Sequence, residues 1–193
     1  MDKTKTLQGR WNLFSRLYGR IDRAMQTGQF KLWREYLMEH VQGTNILEVG
    51  VGAGANLGFY PKGITLVAID FSPGMLENAR EKAALLDLNV DIRQMDVQDL
   101  QFPDSTFDTV VSTCVFCSVP DPEKGLLEIK RVLKPGGRLL MLEHVGSEKP
   151  FMRQAMFIAD WLLAWTGEHI NRKTGETLKD VGFEVKEEDL WRD

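Results

Sequence analysis

Hydrophobic residues follow two different periods along the chain. In the first forty residues they recur at intervals of three and four, which is typical of amphipathic helices, and this spacing predicts helices over residues 7–25 and 29–41. From residue 45 onward, short apolar runs alternate with longer stretches of helical composition. The change of period predicts a helical N-terminal cap or lid, residues 1–42, that continues into a core, residues 43–193, of the same domain.

The hydrophobic pattern of the core predicts strands that alternate with helices. Strands are predicted at residues 45–49, 65–69, 90–95, 109–113, 138–143 and 183–190, and helices at 73–87, 122–133, 151–165 and 174–181. Strands that alternate with helices need crossover connections, and continuous apolar strands indicate a sheet covered on both faces. We therefore expect an α/β, doubly wound, mostly parallel sheet with helices on both faces. Ligands bind such sheets beyond the carboxyl ends of the strands.

Composition narrows the class of protein. The 193 residues are 43% hydrophobic and 27% charged, and no apolar run approaches the roughly 20 residues of a membrane-spanning helix. Two cysteines and the absence of a visible secretory signal predict a cytoplasmic protein. The net charge of −4 argues against a general nucleic-acid binder.

The net charge is unevenly distributed. Residues 1–34 contain eight basic and two acidic side chains, a charge of +6, which leaves −10 on the remainder. Three interpretations of this basic segment stay open. It caps the sheet, it forms a lid over the site with Tyr18 reaching inward, or its basic face contacts anionic lipid. The last interpretation predicts peripheral membrane contact through residues 1–34.

Polar residues and glycines follow the predicted strands. A cluster with Gly50, Gly52 and Gly54 follows the first strand, and such glycines let a backbone approach a ligand. Asp70 ends the second strand, where a carboxylate can accept hydrogen bonds from ribose hydroxyls. Asp96 follows the third strand and could accept from an adenine amino group. Each feature also has a reading without a ligand, as a turn glycine, a helix-start acid or a solvated turn acid.

Four sequence motifs narrow the class of protein further than the glycines and acids after the strands do. They are LEVGVGAG at residues 47–54, AIDFSPGML at 68–76, FPDSTFDTV at 102–110 and LKPGGR at 133–138. In this order they resemble the motifs of class I S-adenosylmethionine-dependent methyltransferases. The chain looks most like the methyltransferase type 11 group, which includes quinone methyltransferases, small phospholipid N-methyltransferases and thiol methyltransferase-like proteins.

The resemblance implies S-adenosylmethionine as cofactor and S-adenosylhomocysteine as product. The glycine loop would surround the methionine part with Glu48 near its amino group, and Asp70 would hold the ribose. Asp96 would read the adenine edge, and Thr113 would lie under the sulfonium. The cofactor-binding residues implied in this way are Glu48, Gly50, Gly52, Gly54, Asn56, Asp70, Phe71, Ser72, Met75, Asp96, Val97, Thr113, Cys114 and Ser118.

Methyl transfer by in-line displacement needs alignment, and removal of a proton where the acceptor carries one. His144, directly after the fifth predicted strand, is the candidate base, with Tyr18 and His169 as further catalytic candidates on the acceptor side. A hydrogen-bonded strand-end histidine and a surface histidine are the structural alternatives for His144 and His169. The three histidines of the chain show no ligand spacing, so no metal site is predicted.

Two further features bear on the function. Cys114 and Cys117 form a C-x-x-C without a second pair, so contact with cofactor or substrate is favoured over redox or metal chemistry. In the family that these motifs resemble, the sheet normally ends in a seventh, antiparallel strand, and only three residues follow the predicted sixth strand here. We therefore expect either a sheet of six strands or a partner or altered hairpin in the place of the seventh.

The sequence as a whole predicts a methyltransferase with a small or lipid-like acceptor. The alternatives are a phospholipid N-methyltransferase at the membrane surface, a non-catalytic nucleoside-cofactor-binding module and a nicotinamide-dependent oxidoreductase. The accepting atom is not indicated by the motifs.

Overall fold

The computed structural model describes residues 8–9, 28–143 and 174–186. Within these ranges five strands form one parallel sheet in the order β3-β2-β1-β4-β5. The strands are β1 Asn45–Val49, β2 Thr65–Asp70, β3 Val90–Gln94, β4 Phe107–Thr113 and β5 Leu133–Leu142. The helices are α1 Gln29–Glu39, α2 Pro73–Leu85, α3 Pro122–Val132 and α4 Thr174–Asp180, with a 3₁₀ turn at Leu57–Phe59.

The strand order reverses at the centre of the sheet. From β1 the chain moves outward to β2 and β3, and it then returns to place β4 on the other side of β1. The loops that leave the carboxyl ends of β1 and β4 therefore diverge, and a crevice opens between them. This arrangement confirms the predicted α/β fold with a parallel sheet.

Alternate side chains of the central strand supply two separate cores. Leu47 of β1 belongs to an apolar cluster that includes Leu126 and Ile129 of α3. Ile46, its neighbour in the strand, belongs to a second cluster that includes Leu76 of α2. Because successive strand side chains point to opposite faces, helices cover both faces, as the continuous apolar strands predict.

Prolines and capping side chains fix the starts of two helices. Ser72 caps α2, where its hydroxyl accepts from the Met75 amide at 3.3 Å and Pro73 occupies the first turn. Asp121 caps α3 by accepting from the Lys124 amide at 3.1 Å, again with a proline next in sequence. Both caps hold their helices next to the ends of strands that border the crevice.

The largest difference from the predicted elements is at β5, which begins at residue 133 instead of 138. The backbone of Leu133 is already extended, and this residue pairs with Phe107 across an irregular register. Both side chains are buried in the same apolar cluster. Tertiary packing thus extends the strand through the Pro135-Gly136-Gly137 sequence that we expected to separate helix from strand.

The C-terminal segment also differs from prediction. Residues 183–186 do not pair with the sheet, so the expected strand over 183–190 does not begin at 183. Instead, Lys130 of α3 donates from Nζ to the carbonyl oxygens of Val181 at 2.7 Å and Gly182 at 3.0 Å, while Phe183 packs on the core. Residues 187–190, most of the predicted helix over 7–25 and that over 151–165 lie outside the described residues.

Candidate cofactor site

A cleft opens at the carboxyl ends of β1, β2 and β4, where the strand order reverses. It contains about 1030 Å³ of space, including its mouth to solvent. Its lining residues are Arg34, Glu48, Gly50, Val51, Gly52, Ala53, Ala55, Asn56, Ile69, Asp70, Phe71, Met75, Met95, Asp96, Val97, Gln98, Thr113, Cys114, Val115, Ser118, Val119 and Pro120.

The loop after β1 requires glycine at the floor of the cleft. Gly50 has φ of +67°, and a Cβ there would lie 2.4 Å from Cγ2 of Val115. A side chain at this position would therefore clash with the loop after β4 as well as strain the backbone. Gly52, at φ +54°, turns its amide toward β2 and donates it to Oδ2 of Asp70 at 2.9 Å.

Asp70 is a buried carboxylate held by backbone amides. Besides the Gly52 amide, the Ser72 amide donates to Oδ1 at 2.8 Å, and 7% of the residue is exposed. Burial raises the pKa of Asp70 to about 6 against the opposing effect of these amide hydrogen bonds. The side chain therefore ties the glycine loop to the start of α2 while it borders the cleft.

Glu48 is the centre of a second buried polar group. Its Oε1 accepts from Nδ2 of Asn56 at 2.8 Å, and its Oε2 accepts from the Tyr60 hydroxyl at 3.0 Å. The same Asn56 nitrogen donates to the Thr113 hydroxyl at 2.9 Å. Burial raises the pKa of Glu48 to about 7, while these hydrogen bonds and the positive charge of Arg34 oppose the shift. The pKa of Tyr60 lies well above its ordinary value because the phenol is buried beside Glu48.

Asn56 leaves one polar atom for a ligand. Two acceptors fix its amide nitrogen, so its Oδ1 is oriented, and this buried oxygen has no partner among the described residues. An unsatisfied buried acceptor costs free energy, and a donor from a bound molecule would satisfy it. Together with the glycine floor and the carboxylate of Asp70, this oxygen fits a nucleoside cofactor that carries hydroxyl and ammonium donors.

The third predicted carboxylate, Asp96, lies at the other end of the cleft. Gln98 donates from Nε2 to both carboxylate oxygens, at 3.0 and 2.9 Å, and its backbone amide donates to Oδ1. Gln98 in turn accepts from the amide of Asp121, the cap of α3, at 2.9 Å. The orientation of Asp96 is therefore fixed through Gln98, which the motif reasoning missed.

The loop after β4 forms the wall opposite the glycine loop. Cys114 has φ of +54°, and the amides of Val115 and Phe116 donate to Oε1 of Glu143 at 3.0 and 3.2 Å. Glu143 follows β5 directly, so its carboxylate fixes this wall from the neighbouring strand. The thiols of Cys114 and Cys117 are not joined in a disulfide, and Sγ of Cys117 lies 3.5 Å from the Cys114 carbonyl oxygen.

Twelve of the fourteen predicted cofactor-binding residues line this cleft. The other two, Gly54 and Ser72, do not. A Cβ on Gly54 would meet Leu57 at 2.8 Å, so this glycine serves packing of the loop, and Ser72 is buried as the cap of α2. The catalytic candidates Tyr18, His144 and His169 lie outside the described residues.

Arg34 is a charged lining residue that the sequence motifs do not assign to the site. Arg34 belongs to the basic segment of residues 1–34, yet only 3% of the residue is exposed. Met38, also buried, follows it by four residues and therefore lies on the same face of α1. An arginine within the apolar stripe of a helix was the signal that could have identified it.

Two absences, of a metal-ion cluster and of a membrane-spanning helix, hold for the described residues. No group of three or more His, Cys, Asp or Glu side chains among them is arranged to hold a metal ion. No helix among them is long and apolar enough to span a membrane.

The reversal of strand order, the glycine loop and the buried acid after β2 define a Rossmann-like protein that binds a nucleoside cofactor. Comparison with known proteins makes the class specific. Residues 47–141 match the model of a family described as methyltransferase domain.

Relatives of known name extend the match beyond this segment. The chain is 34% identical over 151 residues to phosphatidylethanolamine N-methyltransferase of Cereibacter sphaeroides, covering 77% of this chain and 71% of that protein. It is 31% identical over 182 residues to thiol S-methyltransferase TMT1B of Rattus norvegicus, covering 89% and 73%. It is 36% identical over 144 residues to demethylmenaquinone methyltransferase of Clavibacter sepedonicus, covering 72% of this chain and 58% of that protein.

The fold agrees with these matches. A crystal structure of a SAM-dependent methyltransferase of Thermotoga maritima superposes with a TM-score of 0.68 at 21% identity, covering 91% of this chain and 82% of that chain. The chain belongs to the S-adenosylmethionine-dependent methyltransferase family. Its methyl donor is S-adenosylmethionine, which supplies a methyl group already activated on a sulfonium.

Proposed function

We propose that this methyltransferase acts on a lipid-like acceptor, with the amino group of phosphatidylethanolamine as the first candidate. The enzyme of Cereibacter sphaeroides with 34% identity carries that substrate in its name. Small thiols and quinols are the competing acceptors, because other relatives are named for thiol and demethylmenaquinone methylation.

One surface observation supports a lipid acceptor. On α1, Leu32 is 56% exposed and Tyr36 is 37% exposed, and these apolar side chains lie one helical turn apart. The helix follows directly on a segment with strong positive charge. Exposed apolar side chains next to basic residues favour contact with an anionic lipid surface.

For the cofactor, we propose that Asp70 accepts hydrogen bonds from the ribose hydroxyls and that Asp96 faces the adenine. Both carboxylates border one cleft, and the glycine loop lies beside Asp70. The carboxylates of the site also suit a cofactor that is cationic at sulfur and at its amine.

We further propose His144 as the base that removes a proton from an ammonium or thiol acceptor. It follows Glu143, whose carboxylate binds the wall of the cleft. General bases contribute about 10²–10⁴-fold to a rate. We expect His144→Ala to lower kcat within that range while the affinity for S-adenosylhomocysteine stays within twofold. A kcat unchanged by this substitution would remove His144 from the reaction.

The acceptor is tested by turnover. Purified protein with S-adenosylmethionine is supplied with phosphatidylethanolamine vesicles, a panel of thiols or reduced menaquinone precursors, and S-adenosylhomocysteine formation is followed. Turnover with the vesicles, and formation of methylated lipid, support the proposal. Turnover with thiols or quinols alone would assign the protein to one of the competing acceptors.

Membrane contact is tested separately by flotation with vesicles that contain anionic lipid. The triple variant Lys3→Gln, Lys5→Gln, Arg10→Gln should float less than the wild type. Its matched control removes the same charge from exposed positions elsewhere, as Lys62→Gln, Lys124→Gln, Lys179→Gln. Equal flotation of the two triple variants would contradict a role for the N-terminal charge.

A further inference from the structure

We propose that the outer edge of β3 is a homodimer interface, at which two copies of this chain join their sheets by pairing β3 with β3 in an antiparallel register centred on Ile92. Among the described residues, β3 has a neighbouring strand on one side only, which is β2. An edge strand presents backbone donors and acceptors to any strand that fits it. The charges along β3 favour a second copy of the chain as that strand.

The backbone groups of alternate residues in β3 point out of the sheet. The amide of Met95, directly after β3, donates to the carbonyl oxygen of Asp70 at 3.0 Å, so the odd-numbered residues of this segment bond to β2. The even-numbered residues therefore direct their amides and carbonyls outward. The carbonyl oxygen of Ile92 agrees with this, because the exposed Arg80 of α2 donates to it at 3.2 Å. In the joined sheet, the amide of the second copy's Ile92 takes the place of this guanidinium.

The charged side chains of β3 distinguish between the registers that this backbone allows. Asp91 and Arg93 are exposed and lie on the same face of the strand. A two-fold axis through Ile92 places the Asp91 of each copy opposite the Arg93 of the other. An axis through Asp91 or through Arg93 places like charges directly opposite one another, which is unfavourable, and an axis at either end of β3 pairs only part of the strand. The strand is therefore self-complementary in the register centred on Ile92.

The same two charges already form an ion pair within one chain. Nε of Arg93 donates to both carboxylate oxygens of Asp91 at 3.0 Å, and the guanidinium lies 5.5 Å from the centre of the Phe102 ring. Residues directly opposite each other in antiparallel strands have Cβ atoms about 4.5–5.5 Å apart. Pairing of two copies therefore brings the two ion pairs together as a ring of four alternating charges, with no net charge added to the interface.

The position of α2 fits the joined sheet. Ala83 of α2 packs in one apolar cluster with Leu66 of β2 and Val90 of β3, so the helix lies above the boundary between these strands. Neighbouring strands are about 4.8 Å apart, and the two copies of α2 would lie two such spacings, or about 10 Å, from each other. Helices pack at interaxial distances of about 8–10 Å. The two helices can therefore pack against each other when the strands pair.

A shallow groove between α2 and the outer edge of β3 would be covered in this dimer. Ala84 and Leu88 line it beside Ile92. Leu88 is exposed, and so are Leu85 and Leu86 at the end of the helix. Apolar side chains grouped on the surface are typical of protein–protein contacts. The partner's α2 would remove part of this apolar surface from water.

The experiment measures self-association of the full chain by sedimentation equilibrium at micromolar to millimolar concentrations. We expect the wild type to form a dimer with a dissociation constant in this range, because one strand pair and one helix pair make a small interface. Arg93→Asp places acids opposite acids, and Asp91→Arg places arginines opposite arginines. Each variant should associate at least about tenfold more weakly, since two contacts change from attraction to repulsion. The control Lys62→Asp reverses an exposed charge elsewhere and should dimerise as the wild type does.

A mixture of the two variants tests the register itself. A mixed dimer of Arg93→Asp with Asp91→Arg has opposite charges at every facing position, so the mixture should associate about as well as the wild type. The double variant Asp91→Arg, Arg93→Asp exchanges the charges and should also dimerise. Hydrogen exchange of the Ile92 amide should become slower as the wild-type concentration rises. Each variant should bind S-adenosylhomocysteine as the wild type does, because antiparallel pairing leaves each cofactor cleft complete within its own copy.

Three results would overturn the proposal. A wild type that stays monomeric up to millimolar concentration would show that the charges protect the edge of β3 from pairing. Dimers of equal strength in the wild type and in both single variants would place the interface elsewhere. A mixture and a double variant that both remain monomeric would exclude the register centred on Ile92. If a single variant does not fold, the double variant, which keeps an ion pair within the chain, decides between these outcomes.

Discussion

The two ends of the sheet carry acids of the same kind that titrate in opposite directions. At the carboxyl end, burial raises the pKa of Glu48 to about 7 and of Asp70 to about 6. At the amino end, Asp108 accepts from Nζ of Lys134 at 2.6 Å and from the amides of Asn45 and Thr44 at 2.9 and 3.0 Å. These contacts, with the lysine first, lower the pKa of Asp108 to about 2.

The difference separates an acid whose charge stabilises the fold from two acids that we propose to bind the cofactor. Asp108 is ionised more readily in the folded chain, so its contribution to stability is present above about pH 4 and is lost as the pH falls toward 2. Glu48 and Asp70 bind protons more tightly when folded. Their contribution to the stability of the folded state therefore decreases as the pH rises from about 4 to about 7. At neutral pH, ionisation of these two side chains destabilises the fold. In our proposal, the cofactor adds hydroxyl and ammonium donors to the uncharged donors from which these two carboxylates already accept hydrogen bonds.

The largest expected effect comes from Asp70→Asn, which removes the charged group that we propose as acceptor for the two ribose hydroxyls. We expect affinity for S-adenosylhomocysteine to fall by about 100-fold or more, since hydrogen bonds to charged groups are worth about 1.5–3 kcal/mol each. Calorimetry measures the loss. The matched control is Asp108→Asn, which makes the same change at the amino end and should leave affinity within twofold. An Asp70→Asn variant with unchanged affinity would refute the role of this carboxylate.

Glu48→Gln should separate binding from stability. The amide keeps the size of the side chain, and the Tyr60 hydroxyl can turn to accept from it. At pH 8 the variant should unfold at a higher temperature than the wild type without cofactor, because an unfavourable buried charge of about 1–3 kcal/mol is gone. Its affinity for S-adenosylhomocysteine should fall about tenfold. A variant less stable than the wild type at pH 8 and equally stable at pH 4 would show that ionised Glu48 stabilises the fold.

The contrast between these acids could be predicted only in part from the sequence. The motifs indicate the parallel sheet, the cleft and the positions of Glu48, Asp70 and Asp96, because they record which residue follows which strand. They carry no information on Arg34, which precedes them. The pairing of Asp108 with Lys134 depends on the register of β4 and β5, which tertiary packing sets through Leu133.

Asp108→Asn should destabilise the protein moderately at pH 7, by about 1–2 kcal/mol, because the charge-assisted contact with Lys134 is lost. The stabilities of the wild type and the variant should converge as the pH falls toward 2, because Asp108 then becomes protonated in the folded wild type as well as in the unfolded one. Denaturant unfolding at pH 7 and pH 3 measures the difference. A constant difference at both pH values would mean that the charge of Asp108 is not what stabilises this end.

The substitution Glu143→Gln should have the smallest effect. It tests whether the hydrogen-bond partners of a carboxylate or its position in the sheet determines if its charge stabilises the fold. It lies at the carboxyl end of the sheet, like Glu48, but it accepts from backbone amides, like Asp108. If the hydrogen-bond partners determine the effect of the charge, Glu143→Gln should lower the free energy of unfolding by less than about 1 kcal/mol. The side-chain oxygen of the glutamine still accepts hydrogen bonds from the amides, but without a charge. The affinity for S-adenosylhomocysteine should fall about two- to fivefold as the loop after β4 loosens, and Glu184→Gln on the exposed surface is the control. A Glu143→Gln variant that is more stable than the wild type at pH 8 would instead mean that any negative charge at the carboxyl end of the sheet destabilises the protein without cofactor. The carboxylates at this end would then be explained by the positive charge of the cofactor.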